Sequence, residues 1–289
     1  MTRRVTEPLS PRNPRLKHLA RLARDRSARV ESGFFVLEGV KLVSEALADG
    51  VDLDAVYVED GDGDGLVILI ESAIAIGITV HRVAPGALKG VLGTVTPQPV
   101  VAATRIPAAT LEGLSGADLL LVLVEVADPG NVGALLRTAH AAGAGGVICT
   151  ERTADPFAPK CVRASAGAVL RLPIVTGVDP AEAMGWSGRA GFRRLATVPS
   201  GGDRYDRADL RDPIAIVLGS EAHGLPSGLT DPAAELVDQS LTIPMVEGSG
   251  SLNVAAVGAV ICFEARRQRS AEPSPRPDAG PPLPQPVTA

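Results

Sequence analysis

Three short stretches of this chain carry side chains that could do chemistry. In "DPGNVGALLRTAHAAGA", Asp128–Ala144, Asn131 and Arg137 sit at the start of a helical pattern that follows the apolar run "DLLLVLVEV". In "LGSEAHGL", Leu218–Leu225, a second apolar run ends in Gly-Ser-Glu and offers Glu221 and His223. In "IPMVEGSGSLNVAA", Ile243–Ala256, a Gly-Ser loop leads to Ser251 and Asn253. Each stretch lies where a strand hands over to a turn, and ligands of parallel α/β sheets bind outside the carboxyl ends of the strands. A purely structural strand-to-helix unit needs no arginine at that point. Taken singly, however, each stretch has an ordinary reading. Arg137 can be a surface helix residue, Glu221 a turn acid and Ser251 an N-cap. His140 and His223 can be packing or surface histidines. The first turn has G-x-x-G rather than G-x-G-x-x-G spacing, and no G-x-S-x-G nucleophile elbow is present.

The elements that must position these residues follow from periodicity. "DLLLVLVEV" is apolar without alternation, as a parallel strand covered on both faces should be. "GVICT", "GAVLRLPIV", "FRRLATV", "IAIVLGS" and "QSLTIPM" read as further strands separated by helix or turn signals. Alternating strands and helices predict an α/β domain with a mostly parallel sheet over residues 118–269. "SLNVAAVGAVICFEARRQR" reads as its last helix. Ahead of it, residues 12–106 hold a smaller α/β set: helix "NPRLKHLARLARDRSAR", capped by Asn13 with Pro14 in the first turn, strand "GFFVLEG", helix "VKLVSEALADG", strands "LDAVYV", "TVHRV" and "VVAATRI", and a helix at "LVILIESAIAIG". Residues 107–117 read as a linker, 1–11 as a flexible arm, and the Pro-rich 270–289 as a disordered tail.

Composition narrows the class. The chain has 289 residues, 45% of them hydrophobic, enough for a sizeable core. The three cysteines have no C-x-x-C spacing, which argues for a reducing compartment and against a zinc site. With no secretory h-region and no membrane-length apolar run, the expectation is a soluble cytoplasmic protein with no membrane partner and no metal. Net charge is −5, yet residues 1–30 hold nine Lys/Arg against Glu7 and Asp25. A basic block on an acidic body can be a footprint for nucleic-acid phosphates or a solvated helix face.

In combination, Asn-x-Gly-Ala-x-x-Arg-Thr-Ala, then Gly-Ser-Glu-x-x-Gly-Leu, then Ile-Pro-Met followed by Ser-Leu-Asn-Val, the sequence resembles the SpoU (TrmH-like) RNA ribose 2′-O-methyltransferases of the SPOUT class. The resemblance covers roughly residues 118–267, and "SARVESGFFVLEGVKLVSEAL" is similar to the substrate-binding domain, related to kink-turn-binding ribosomal proteins, that many members carry in front. It implies a trefoil-knotted α/β domain and S-adenosylmethionine held by Thr197, Leu218, Gly219, Ile243, Met245, Ser251 and Leu252. It implies that Arg137 activates the ribose hydroxyl; arginine is a poor base, so we read its role as fixing phosphate and ribose and stabilising the forming alkoxide. Asn131 would orient Arg137 or the substrate, Glu221 would hold Arg137 or Asn253, and Ser251 and Asn253 would close the loop. "DPFAPKCVRASAGAVLRLPI" looks like the family's second helix region, with Arg163 and Ser165 facing RNA; Arg15 and Arg29 join them as RNA contacts. The partners implied are RNA, ribosomal RNA before transfer RNA, and a second copy of the chain in a homodimer, for which the small-residue helix 251–265 is suited. Two departures stand out: Ala255 replaces a common serine, and Val126-Ala127 stands where a glycine often precedes the turn. The rival of a different class is a non-catalytic RNA-binding or ribosome-assembly protein on the same fold. A nicotinamide dehydrogenase is a distant alternative, lacking its fingerprint.

Overall fold

A computed structural model describes residues 8–59, 64–92, 98–246 and 250–270. The tail expected to be disordered therefore lies, all but its first residue, outside the described residues, as do the first seven residues of the arm.

The described residues build two sheets in sequence. The first body contains α1 (Pro14–Arg24), α2 (Arg26–Ser32), β1 (Phe34–Glu38), α3 (Val40–Ala48), β2 (Leu53–Glu59), α4 (Asp64–Ala75), β3 (Val80–Val83), α5 (Ala87–Leu92) and β4 (Val100–Arg105). Its strand order is β1-β4-β2-β3. β4 runs antiparallel to both neighbours, and β2 pairs parallel with β3. The basic N-terminal stretch is two helices rather than one. Asp25 has extended backbone, and its side chain accepts from the Ser27 N–H at 2.9 Å, which caps a new start. The described part of the arm is also anchored, because Leu9 makes a parallel bridge to Val83.

The second body contains β5 (Leu119–Leu123), α6 (Pro129–Ala142), β6 (Gly146–Thr150), α7 (Pro159–Ser165), β7 (Ile174–Val178), α8 (Pro180–Arg189), β8 (Arg193–Thr197), β9 (Asp203–Arg204), β10 (Ile214–Leu218), α9 (Ser227–Thr230), β11 (Gln239–Thr242) and α10 (Val254–Ser270). Its seven strands lie in the order β7-β6-β5-β10-β8-β11-β9 and every pairing is parallel. β5, β6 and β10 are buried along their whole length, which explains their unbroken apolar runs. Of the expected strand "GAVLRLPIV" only the end is strand; Ala168–Leu170 form a 3-10 turn after Gly167 at φ 86°.

Between the bodies, the expected linker contains a 3-10 turn, Glu112–Leu114, whose Leu114 is buried in the core under β5 and β6. No helix among the described residues is long and apolar enough to cross a membrane. Among the same residues, no group of His, Cys, Asp and Glu could hold a metal ion.

Candidate functional site

β10 lies between β5 and β8, so the turns after these strands meet at one end of the sheet. After β5 the chain reaches Asp128, which caps α6: its Oδ1 accepts from the Asn131 N–H at 3.0 Å and its Oδ2 accepts from Lys160 Nζ at 2.8 Å. These N–H donors hold the Asp128 carboxyl below the ordinary range, Lys160 having the larger effect. Pro129 occupies the first turn, where its missing N–H costs nothing. Asn131 is thus fixed one turn into α6.

After β10 the chain folds back on itself. Ser220 and Gly224 exchange backbone hydrogen bonds at 3.0 and 2.8 Å, with Gly224 at φ 68°. Only glycine fits at position 219, because a Cβ there would lie 2.5 Å from the Gly224 carbonyl carbon. This reversal presents Glu221 to α6, and Glu221 Oε1 accepts from Asn131 Nδ2 at 2.6 Å. Asn131 Oδ1 in turn accepts from Asn253 Nδ2 at 3.1 Å, and Asn253 Oδ1 accepts from the Ala255 N–H at 2.9 Å. One carboxylate and two amides from three separate turns therefore form a single chain of hydrogen bonds.

Beside this chain opens a cavity of about 540 Å³. Thr197, Gly219, Glu221, Ile243, Met245, Ser251 and Leu252, all named from sequence, line it. Thr197 Oγ1 donates to the Val217 carbonyl at 3.0 Å, so its methyl and backbone remain to face the space. The cavity also has an apolar wall that sequence reading did not name: Leu241 of β11 with Val254, Val257 and Ile261 of α10. The last three fall at i, i+3 and i+7 of one helix face, a legible signal obscured by the alanines between them. His223 lines the mouth as well.

Several expectations need correction. Leu218 is fully buried and does not line the cavity; its carbonyl accepts from the Val124 N–H at 2.8 Å. Ser251 does not cap α10, which begins at Val254; Asn253 makes the first turn's side-chain bond. Glu221 holds Asn131, not Arg137 or Asn253. Arg137 is exposed on α6 and outside the cavity of its own chain. Ser165 is fully buried, its hydroxyl donating to the Val162 carbonyl at 2.8 Å, so it cannot face RNA. Arg29 is 4% exposed and ion-paired with Asp155 at 2.6 Å. Arg163 is partly exposed but already bound to Glu38. Arg15 stays on the exposed face of α1 and reaches the Tyr57 hydroxyl. The three cysteines are buried and unpaired, and burial pushes the Cys149 and Cys262 thiols up to about 12, which leaves them inert.

Comparison with known proteins gives this geometry its context. Residues 13–102 match the MRM3-like substrate binding domain and residues 118–263 the SpoU rRNA Methylase family. The chain is 32% identical over 279 residues to the 23S rRNA (uridine(2479)-2'-O)-methyltransferase of Streptomyces viridochromogenes, covering 92% of this chain and 93% of that protein. It is 29% identical to the 23S rRNA (guanosine(2553)-2'-O)-methyltransferase RlmP of Bacillus subtilis, over 89% of this chain and 98% of that one. A solved AdoMet-bound rRNA methyltransferase from Sinorhizobium meliloti superposes with a TM-score of 0.78 at 30% identity, covering 91% of this chain and 98% of that one. With a family match spanning half the chain and relatives matching both bodies end to end, the protein belongs to the SpoU rRNA methylase family.

Proposed function

We propose that the protein methylates a ribose 2′-hydroxyl of ribosomal RNA, using S-adenosylmethionine. The observation that carries this is the Glu221–Asn131–Asn253 chain at the mouth of a cavity sited at the carboxyl ends of β8, β10 and β11.

The cavity suits the cofactor. Leu241, Val257 and Ile261 offer an apolar wall for a flat adenine, while the backbone around Gly219, Ile243 and Leu252 offers donors and acceptors for its edges. Membership of the family implies that the segment from β11 to α10 follows a trefoil-knotted path around this space. When bound, S-adenosylmethionine supplies a methyl group already activated by its sulfonium. The tasks left to the chain are to position the ribose and stabilise charge on its oxygen. Asn131, held at both ends of its amide, gives the mouth a fixed shape. Glu221 sets that amide's orientation by accepting from its NH₂. Arg137, permanently charged, fixes the phosphate beside the target ribose and stabilises the forming alkoxide.

RNA docks on the exposed basic face of α1, where Lys17, His18 and Arg21 point outward while Leu16, Leu19 and Leu22 are buried. The reading includes a homodimer. Ala256, Val260 and Phe263 form one outward face of α10, and Phe263 is 46% exposed. A second copy laid on that face brings another chain's α6 towards the cavity, which accounts for Arg137 lying outside its own.

The test is incubation of the protein with tritiated-methyl S-adenosylmethionine and unmodified ribosomal or transfer RNA, beside Arg137→Ala. Label in ribosomal RNA that Arg137→Ala loses is the expected result. Label confined to transfer RNA overturns the substrate. Cofactor binding without label in any RNA overturns catalysis and leaves an RNA-binding role.

A further inference from the structure

The connection at residues 106–118 is not all that joins the two bodies. Three arginines make four carboxylate pairs across the two bodies, Arg171 reaching Glu45 at 3.7 Å as well as Asp49, and every pair falls on one segment of the second body, Asp155 to Arg171. Arg29 Nε and Nη2 reach Asp155 Oδ2 at 2.8 and 2.6 Å, with side chains 4% and 12% exposed. Arg163 Nη1 donates to Glu38 Oε2 at 2.6 Å, and the Glu38 side chain is 4% exposed. Arg171 donates to Asp49 Oδ2 through Nε at 2.8 Å and Nη2 at 2.6 Å. Between them the rings of Phe35 and Phe157 pack 5.1 Å apart at 56°.

The same segment grips the site from its other side. α7 lies on α6 so closely that a Cβ at Gly133 would sit 2.5 Å from the Cys161 carbonyl oxygen. Lys160 of α7 binds Asp128, the cap that presents Asn131. One rigid piece therefore touches the first body at three charged points and the site helix along its length. Solvated pairs such as those of Arg171 hold little, but Asp155 and Glu38 are desolvated, and an arginine withdrawn from either would leave a buried carboxylate without its counter-charge. Such a contact favours one arrangement over a hinge.

We propose that this clasp fixes the distance and angle between the RNA-docking body and the cofactor cavity, and so determines which nucleotide of a docked RNA is methylated. Glu38, Asp49, Arg163 and Arg171 are then positioning residues for specificity, none of them touching substrate. The proposal rests on the RNA methyltransferase reading above. It also gives the buried Arg29 a use that direct RNA contact does not.

The test variant is Glu38→Gln/Asp49→Asn in the full chain. It neutralises two carboxylates of the first body and leaves Arg29–Asp155, the longer Arg171–Glu45 pair and the two phenylalanines in place. The expected result is cofactor affinity within twofold of the parent, about tenfold lower kcat/KM on a ribosomal RNA fragment, and methyl label spread beyond the parent's nucleotide when mapped by primer extension. Exchange of one pair, Glu38→Arg/Arg163→Glu, is expected to return label to that nucleotide. Unchanged kcat/KM with label at the same single nucleotide overturns the proposal. A higher rate in the double variant also overturns it, since it would mean that Arg163 is freed for direct RNA contact. If the parent itself labels no RNA, the function reading fails instead. Small-angle scattering then decides the clasp: it must show the double variant extended relative to the parent, and an unchanged envelope sinks it.

Discussion

At the residue scale the site depends on one amide. Asn131 donates to Glu221 and accepts from Asn253, and no other residue type of that size supplies both a donor and an acceptor at these two ends. Asn131→Asp keeps the volume but sets a carboxylate against Glu221. Two carboxylates at hydrogen-bond distance cannot both stay ionised, so the pair takes up a proton or the turn is pushed away. We expect at least a tenfold loss in kcat/KM near neutral pH, about 1.4 kcal/mol in transition-state terms, smaller at lower pH where the pair holds its proton. Asn131→Asp/Glu221→Gln restores a donor opposite an acceptor and should regain most of the loss. A double variant no better than the single one would show that Glu221 acts through its charge rather than as Asn131's acceptor.

At the element scale, α6 can present Asn131 only because it lies flush on α7. Gly133→Ala places a methyl among the Cys161 carbonyl oxygen, the Ala164 methyl and the Ser165 nitrogen, all backbone or fixed atoms. Overpacking of this kind costs about 1–3 kcal/mol, and we expect a lowered Tm by calorimetry together with weaker methyl transfer. An unchanged Tm would mean that the helices separate freely, against the coupling argued above. The same elements mark what was legible in sequence. The apolar strands and the turns that follow them could be read because burial on both faces leaves an unbroken signature in β5 and β10. Six of seven residues named for the cavity line it because they sit at or just after strand ends or at the entry to α10, where local sequence dictates position. What could not be read was pairing at a distance. Arg29 looks like any other arginine of a basic helix until Asp155, 126 positions away, is folded against it. Ser165 looks polar and available until α7 turns it inward.

At the scale of the whole molecule, one observation asks for a second chain. Arg137 is the residue to which the resemblance gives the largest share of catalysis, yet it stands exposed on α6 and does not line the cavity beside it. α10 packs its inner face, Gly258, Ile261 and Cys262, against α6 and β10, and turns Ala256, Val260 and Phe263 outward. Small side chains around one exposed aromatic are suited to close approach by a like surface, as a two-fold interface requires. If two copies associate there, each Arg137 acts in a site that a single chain leaves incomplete. Phe263→Glu puts a charge in the centre of that face without touching the inner one. The expected outcome is a monomer by light scattering at micromolar concentration, with the fold retained by circular dichroism and methyl transfer reduced at least tenfold. Because the substitution leaves α1 untouched, RNA affinity per chain should change far less than turnover. A fully active monomeric variant would show that Arg137 reaches its substrate within one chain, and that the outward face of α10 serves no catalytic purpose.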